Sequence, residues 1–160
     1  MSCHLGVEFT HRLQRVNHRD WLIAGNKKVF LVPQNEVETV LLFQKIAHQF
    51  PQLLPHGMRI DILDYSPKDI DSICKFQLSP HHPEEIIPVE FEFRLESFFK
   101  HGHDHRQVKL IICFTVDPLK FPFEHGGVNY NLNRTTPIPR LENNFDHSSI
   151  PCLILEELFR

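Results

Sequence analysis

The sequence has no long apolar run and no surplus of positive charge. None of its hydrophobic stretches approaches the ~20 residues of a membrane helix, and residues 1–20 are too polar for a secretory signal. Its 17 Lys and Arg against 20 Asp and Glu give a net charge of −3. Nucleic acid would therefore have to be bound by a local basic patch, because the overall charge repels it. We predict a protein that does not insert into a membrane.

Closely spaced cysteines and the common nucleotide-binding and hydrolase motifs are also missing. The four cysteines are far apart, and Cys74 and Cys113 lie inside apolar runs, as buried free thiols commonly do. This usage is typical of a reduced, cytoplasmic setting. There is no G-x-S-x-G, P-loop or G-x-G-x-x-G motif. A Cys–His nucleophile stays open, although apolar surroundings raise a thiol pKa and argue against it.

Phenylalanine and histidine are abundant instead. The 160 residues include 14 Phe and 12 His, and 41% of them are hydrophobic. A chain of this length forms one ordinary domain with a real core. The phenylalanines indicate an aromatic core, whereas histidine binds metals and carries protons near neutral pH.

The first half of the chain predicts a hairpin followed by a helix. Residues 21–23 and 28–32 are short apolar segments separated by the turn Gly25-Asn26. Asn35 is a good N-cap, and Glu38 three residues later completes a capping-box pattern. Pro51 ends the helix. The apolar stripe that we expect this helix to bury consists of Val37, Val40, Leu41, Phe43, Ile46, Ala47 and Phe50.

The rest of the chain predicts a series of strands. Residues 117–149 are rich in Pro, Gly and Asn and are predicted as loops that hold short elements or a partner surface. The fold class is then α/β or α+β, a mixed β-sheet flanked by helices. The predicted single domain, 1–160, has an N-terminal hairpin region (1–34), a core (35–116) and a loop-rich C-terminal region (117–160). The predicted strands are 58–65, 69–76, 86–95, 108–116 and 150–158, the last as a strand or short helix.

Acidic residues recur on the predicted helix and strands. Glu90 and Glu92 are two residues apart on one strand, so their side chains share a face. Asp71 lies on a neighbouring predicted strand, with Asp69 on the same face of it. Several carboxylates held together repel one another and favour a divalent cation. Oxygen ligands suit Mg²⁺ or Mn²⁺. Glu36 and Glu38, in the first helical turn, could join this set.

The order of these segments resembles the PD-(D/E)XK nuclease superfamily, which has the restriction-endonuclease-like fold. The likeness lies in VEFEFRL at 89–95, FFKHGH at 98–103 and VKLIICF at 108–114. These segments are similar to one branch of the superfamily, and DIDSIC at 69–74 resembles its "PD" strand. The resemblance covers roughly residues 35–116.

The resemblance implies a metal-dependent nuclease site. Asp71 and Glu90 would be metal ligands for Mg²⁺ or Mn²⁺, and Glu92 stands where most members have the catalytic lysine. Glu38 matches the acid of the helix, with Glu36 as the second choice. We take Lys109 as the catalytic lysine.

The alternatives to Lys109 stay open. Lys75 or Lys100 would be a migrated lysine, or His101 or His103 would do its work. The site would otherwise be inactive.

Each of these acids also has a local explanation. Glu90 and Glu92 fit the solvent face of a half-exposed strand, and Asp71 fits a strand edge. Glu38 is sufficiently explained by helix capping. A structural zinc site is another alternative, although no standard zinc spacing is present. Its candidate ligands are His81, His82, Cys74 and Cys113, with His101, His103 and His105 as a further histidine cluster.

A basic segment follows the predicted acids. We predict that it binds the substrate, DNA or RNA, through phosphate contacts. The sequence therefore supports three functions: a metal-dependent DNA endonuclease, a catalytically degraded nuclease-fold module that binds nucleic acid or protein, and a small zinc-stabilised interaction protein. A homodimer or a larger assembly is expected for the first. The predicted substrate-binding residues are Arg94, Lys100, His101, His103 and Arg106.

Overall fold

A computed structural model describes residues 2–66, 68, 70–100 and 104–160. Contacts within the chain divide it between Val32 and Pro33 into two compact units. The first unit contains helix α1 (Ser2–Asn17) and an antiparallel hairpin of β1 (Trp21–Ala24) and β2 (Lys27–Leu31). The hairpin confirms the sequence prediction, with Gly25 at φ 61° in its turn. Helix α1 was not predicted, because its apolar and polar residues are mixed; in the structure Val7, Phe9, Leu13 and Val16 are exposed.

The second unit begins with helix α2 (Glu36–Gln49), as the capping signals predict. The Asn35 side chain accepts a hydrogen bond from the Glu38 N–H at 2.9 Å, and Glu38 Oε2 accepts one from the Gln34 N–H at 2.9 Å. The helix ends at Phe50, immediately before Pro51. The predicted buried stripe is only partly right, since the apolar arc is wider than the face that packs. Val37 and Leu41 are exposed, and the buried residues are Thr39, Leu42, Phe43 and Ile46.

Eight strands form one mixed sheet, which confirms the α+β class. β3, β4 and β5 form an antiparallel meander, and β6 and β10 extend it in parallel. β9, β8 and β7 follow as a second antiparallel meander. The sheet order is β3-β4-β5-β6-β10-β9-β8-β7. The strands are β3 (Arg59–Tyr65), β4 (Ser72–Gln77), β5 (Glu85–Arg94), β6 (Leu110–Thr115), β7 (Phe123–His125), β8 (Val128–Asn133), β9 (Arg140–Asn143) and β10 (Ser149–Ile154).

The prediction for 117–149 is only partly right, because three of these strands lie within it: the short elements that it allowed are present, and they pair into the sheet. In β8, half-buried Val128, Tyr130 and Leu132 alternate with the exposed Asn129 and Asn131. Asparagine has low β-propensity, so the segment reads as a loop although its period of two fits a half-buried strand.

The core covers both faces of the centre of the sheet. On one face α2 packs on β5, where the rings of Phe43 and Phe91 have centroids 5.5 Å apart. On the other face the 3-10 helix Leu95–Lys100 packs Phe98 and Phe99 against β6 and β10. Strand β6 is buried from Leu110 to Phe114, as its apolar run predicts. The β5–β6 pair is therefore enclosed, and polar side chains within it are shielded from water.

Candidate active site

Glu90 and Glu92 lie in the most enclosed part of the sheet. Their exposed fractions are 0% and 1%. Both glutamates lie in the parallel pair with β6, opposite Ile111 and Cys113, and the antiparallel pairing of β5 with β4 ends one residue before them, at Val89. The interpretation of these glutamates as a solvent face is therefore wrong. The glutamates do alternate with apolar residues along β5, but the face of the sheet on which they lie is covered by the core cluster that contains Phe98 and Phe99.

Asp71 meets Glu90 from the neighbouring strand. It immediately precedes β4, whose first pair is Ser72 with Val89, so continuing the register places Asp71 opposite Glu90. Asp71 Oδ2 accepts a hydrogen bond from the Phe91 N–H at 2.8 Å, and only 5% of the residue is exposed. The Asp71 carbonyl accepts from the Ser66 N–H at 2.7 Å. Backbone contacts thus fix the aspartate beside the glutamate.

The carboxyl group of Glu90 is buried and poorly hydrogen-bonded. Both of its oxygens are shielded and neither makes a well-formed hydrogen bond with a described residue, although the Asp71 backbone N–H lies near enough to oppose the rise in its pKa. Burial, followed by the neighbouring carboxylates of Asp71 and Glu92, raises the pKa of Glu90 to about 9. When both groups are ionised, Asp71 and Glu90 can only repel each other. A protonated Glu90 can donate a hydrogen bond to the Asp71 carboxylate, which removes the repulsion. A cation bound between the two carboxylates would have the same effect.

Glu92 is perturbed in the same direction. Burial, then the charges of Glu36 and Asp71, raises its pKa to about 8, and Lys100 acts in the opposite sense. Of the two acids in the first turn of α2, Glu36 is thus the one whose charge raises the pKa of Glu92. We call Glu36, Asp71, Glu90 and Glu92 the carboxylate cluster.

Glu38 is placed differently from Glu36. Its carboxylate caps α2 through the Gln34 N–H, which is the local role that the sequence also offered. The two acids are two positions apart in the first turn of the helix, so their side chains point in different directions. The helix acid of the cluster is accordingly Glu36, the less favoured of the two in the sequence prediction.

Tyr65 is a member of the site that sequence reasoning missed. It ends β3, pairs with Ser72, and sets its ring edge-on to Phe91 with centroids 6.4 Å apart. Burial raises its pKa, and the charges of Asp71, Glu36 and Glu90 add to the effect. The available signal was its place at the end of the strand that precedes Asp71.

The carboxylate cluster contains two neighbouring side chains that could serve as ligands of a cation. Among the described residues, no three His, Cys, Asp or Glu side chains are arranged to hold a metal by themselves. Mg²⁺ commonly uses one or two carboxylates and completes its octahedron with water and substrate phosphate. Asp71 and Glu90 are the pair that could supply those carboxylates.

The lysines predicted for the site are separated by the fold. Lys100 lies close enough for its charge to lower the pKa of Glu92. Lys109 is exposed at the start of β6, where its N–H donates to the Pro88 carbonyl. Lys75 Nζ lies 3.6 Å from a Glu84 carboxylate oxygen on the surface. Of the three, Lys100 is the one with an electrostatic effect on the cluster.

The predicted basic patch is also divided. Arg94 ends β5, where its guanidinium lies 4.0 Å from Glu96 and stacks over Phe93. Arg106, paired with Asp104 at 3.1 Å, and Lys109 lie towards the opposite end of the β5–β6 pair. Six residues of strand between positions 88 and 94 span about 20 Å. His101, His103 and Asp69 lie outside the described residues.

The residues proposed for zinc do not converge. Cys74 and Cys113 are both buried, but β5 lies between their strands. Their pairing with Ile87 and Glu92 places them on opposite faces of the sheet. His82 is exposed and bonds Ser79 through Nδ1 at 2.7 Å. Within the described part of the chain, these side chains form no zinc site.

Comparison with protein-family models, with curated proteins and with solved structures finds no match to this chain. In the ranges that the structure describes, no helix has the length and apolar character needed to cross a bilayer. The function is therefore argued from the geometry of the carboxylate cluster.

Proposed function

We propose that this chain is a metal-dependent phosphodiester hydrolase that acts on DNA, of the class that the PD-(D/E)XK resemblance implies. The observation that carries the proposal is the contact of Asp71 with Glu90, two buried carboxyl groups of which the second makes no well-formed hydrogen bond with a described residue. A structural role explains such a pair poorly, because two carboxyl groups held together in the core cost stability unless a proton or a cation is shared between them. A cation-binding role explains it directly.

The arrangement of elements supports the same class. Helix α2 is followed by three antiparallel strands, and β6 then adds in parallel to the third. Asp71 precedes the second of these strands, and Glu90 and Glu92 lie on the third. This is the order of helix, "PD" strand and Glu-x-acid strand on which the resemblance rests.

Asp71 and Glu90 would hold Mg²⁺ or Mn²⁺, with Glu36 near enough to add to the negative field. The ion, when bound, would supply Lewis-acid polarisation of a phosphoryl oxygen. Glu92, with a pKa of about 8, accepts the proton of the attacking water. Lys100 offsets the charge that develops on the phosphate as the P–O ester bond breaks. Glu92 and Lys100 would thus share the role of the lysine that the Glu-x-Lys pattern lacks here: the Glu92 carboxylate takes the proton, and the Lys100 ammonium offsets the charge.

A cleavage assay tests the proposal. Plasmid and single-stranded DNA are incubated with Mg²⁺ or Mn²⁺ and the purified chain, beside Asp71→Asn and Glu90→Gln. We expect cleavage by the parent that each variant loses by at least tenfold. Glu124→Gln, which removes an exposed acid from β7, is the matched control and should cleave like the parent. Cleavage that persists in Glu90→Gln contradicts the assignment.

A catalytically degraded module is the second candidate. It is favoured by the glutamate at position 92 and by the exposed position of Lys109, away from a described contact with the cluster. Nucleic-acid binding without cleavage in either metal would support it. A homodimer or larger assembly and a cytoplasmic location remain part of the proposal; the buried free thiols of Cys74, Cys113 and Cys152 fit the latter.

A further inference from the structure

A large cleft opens beside the start of the β5–β6 pair. It has a volume of about 1340 Å³ and is bounded by β5, by β8 to β10 and by the 3-10 turn His105–Gln107. Pockets that hold one drug-sized molecule have volumes of about 300–1,000 Å³, so this cleft has room for a larger ligand. None of the residues in the carboxylate cluster lines it.

One wall of the cleft is aromatic. Phe99 is buried behind it and contacts the rings of His105, His125 and Tyr130, with centroids 5.6, 5.6 and 4.6 Å away. The rings of His105 and His125 are 5.7 Å apart. His105, His125 and Tyr130 all line the cleft, while Phe99 holds them from behind. A fixed group of partly exposed flat rings is a surface on which planar ligands stack.

The charged groups of the cleft are balanced in number, and two of them, Glu85 and Lys109, are exposed without a side-chain partner among the described residues. Its three acids are Glu85, Asp104 and Asp146, and its three cations are Arg106, Lys109 and Arg140. The Asp104 carboxylate is held by Arg106, and that of Asp146 by the N–H and hydroxyl of Ser148 at 2.9 and 2.6 Å. Lys109 is exposed and makes no side-chain hydrogen bond or ion pair among the described residues. Its ammonium is therefore available to an anionic ligand.

The cleft ends close to the carboxylate cluster along β5. Pro88 lines the cleft, and Glu90, which is buried and does not line it, is two residues further along the same face of the strand, a distance of about 7 Å. Lys109 lies beside Pro88, to whose carbonyl its N–H donates. A phosphate on Lys109 would thus be bound at the end of β5 that leads to the cluster.

We propose that this cleft binds a short single strand of nucleic acid, with bases on His125 and Tyr130 and a phosphate on Lys109. The choice of ligand rests on the proposed function. Stacking is sequence-tolerant and needs unpaired bases. A duplex keeps its bases inside and meets proteins mainly through phosphate charge, for which a cleft with as many acids as cations is poorly suited. The substrate class of the enzyme would then be single-stranded nucleic acid.

Binding in EDTA tests the cleft separately from the cation site. Fluorescence anisotropy is measured with a labelled single strand of about eight nucleotides and with the same sequence as a duplex. We expect the single strand to bind at least tenfold more tightly than the duplex. Because one phosphate contact, with Lys109, is proposed, the affinity should change only modestly between about 50 and 200 mM salt. Equal or tighter binding of the duplex, or no binding of the single strand, overturns the proposal.

Two variants locate the ligand. Tyr130→Ala should weaken binding roughly tenfold or more, since one stacking surface is lost, and Tyr130→Phe should retain it. Lys109→Ala should weaken binding and lower the slope of log K against log salt by about 0.7. Lys120→Ala, an exposed lysine outside the cleft, is the charge-matched control and should bind like the parent.

The outcomes separate this proposal from the proposed function. Lys109 is exposed, so its variant remains informative if Tyr130→Ala is destabilised, which thermal melting reports. If Lys109→Ala binds unchanged with an unchanged salt slope, the cleft is not the site. Mn²⁺ binding by calorimetry without DNA reports Asp71 and Glu90 alone. Single-strand binding without Mn²⁺ binding contradicts the proposed function, and Mn²⁺ binding without single-strand binding contradicts the cleft proposal.

Discussion

Asp71 Oδ2 accepts a hydrogen bond from the backbone N–H of Phe91 at 2.8 Å, across the start of the β4–β5 pair. This one contact joins the two halves of the site. It orients the carboxylate of Asp71, which lies just before β4, and it satisfies the buried N–H of Phe91 in the central strand β5. It also fixes Asp71 beside the buried carboxyl of Glu90, whose oxygens make no well-formed hydrogen bond with a described residue.

Removing the acceptor at position 71 should destabilise the fold. Asp71→Ala leaves the Phe91 N–H buried and unpaired, and we expect a loss of about 1–3 kcal/mol in the free energy of unfolding. Asp71→Asn keeps an acceptor oxygen and should lose less, while it relieves the repulsion of Glu90. Urea unfolding at neutral pH measures both. Equal losses would mean that the hydrogen bond contributes little.

The stability of the metal-free chain should fall as the pH rises. The folded-state pKa values of Glu90 and Glu92, about 9 and 8, lie above the unfolded value of 4.5. Their protonated forms therefore stabilise the fold fully below pH 4.5, and this contribution is lost as the pH rises to about 9. The limiting slope is about 1.4 kcal/mol per pH unit for each group.

Urea unfolding at a series of pH values in EDTA measures this dependence. Glu90→Gln and Glu92→Gln carry no titrating proton at these positions, so each should flatten the curve, whereas Glu124→Gln should leave it unchanged. If the parent gains stability between pH 5 and pH 9, the cluster does not hold its protons as described.

Glu36 and Glu38 should separate into two roles. Glu36→Gln removes a charge that repels Glu92, so the pKa of Glu92 should fall, as carboxyl NMR would report. Glu38→Ala removes a capping bond and should cost about 0.5–1.5 kcal/mol of stability. Glu38→Gln keeps an acceptor and serves as its control. A larger change in the Glu92 titration from Glu38→Gln than from Glu36→Gln would reverse the assignment.

Lys100 should be the lysine that the cluster senses. Its charge lowers the pKa of Glu92, so Lys100→Met should raise that pKa above about 8. Lys109→Met is the matched variant, and we expect it to leave the Glu92 titration where it is. The same NMR titration compares the two. In the DNA cleavage assay, Lys100→Met should reduce kcat more than it changes KM, because the developing phosphate charge is greatest in the transition state.

The packing of α2 on β5 should support the site from the opposite face. Phe43 is fully buried and its ring meets Phe91, whose N–H holds Asp71. Phe43→Ala should cost about 3–5 kcal/mol of stability, since it removes a large core side chain and leaves a cavity. Phe43→Leu should cost less. Chemical denaturation gives both values, and a loss under about 1 kcal/mol for Phe43→Ala would show that the helix packs loosely there.

The sequence by itself determined those elements whose signals are local. The Asn35 cap, the stop at Pro51, the hairpin turn at Gly25 and the apolar run of β6 each act over a few residues. The period of two in β5 likewise placed Glu90 and Glu92 on one face. What it left undecided was whether that face meets water, because burial depends on residues 95–99 and 141–154, which are distant in sequence.

Only the tertiary structure decided which charged side chains meet. Glu36 and Glu38 are both glutamates of the first turn of α2, yet it is the charge of Glu36 that raises the pKa of Glu92, while Glu38 caps the helix. Lys100 and Lys109 are close in sequence, yet Lys100, at the end of the 3-10 helix, lies near Glu92 and Lys109 lines the cleft. Strands β8 and β9 were hidden for the same reason: their asparagines disfavour strands locally, and the pairing of β9 with β10 and of β8 with β9 overrides that preference. Interactions between distant segments are stronger than these local propensities, so the site is a property of the fold.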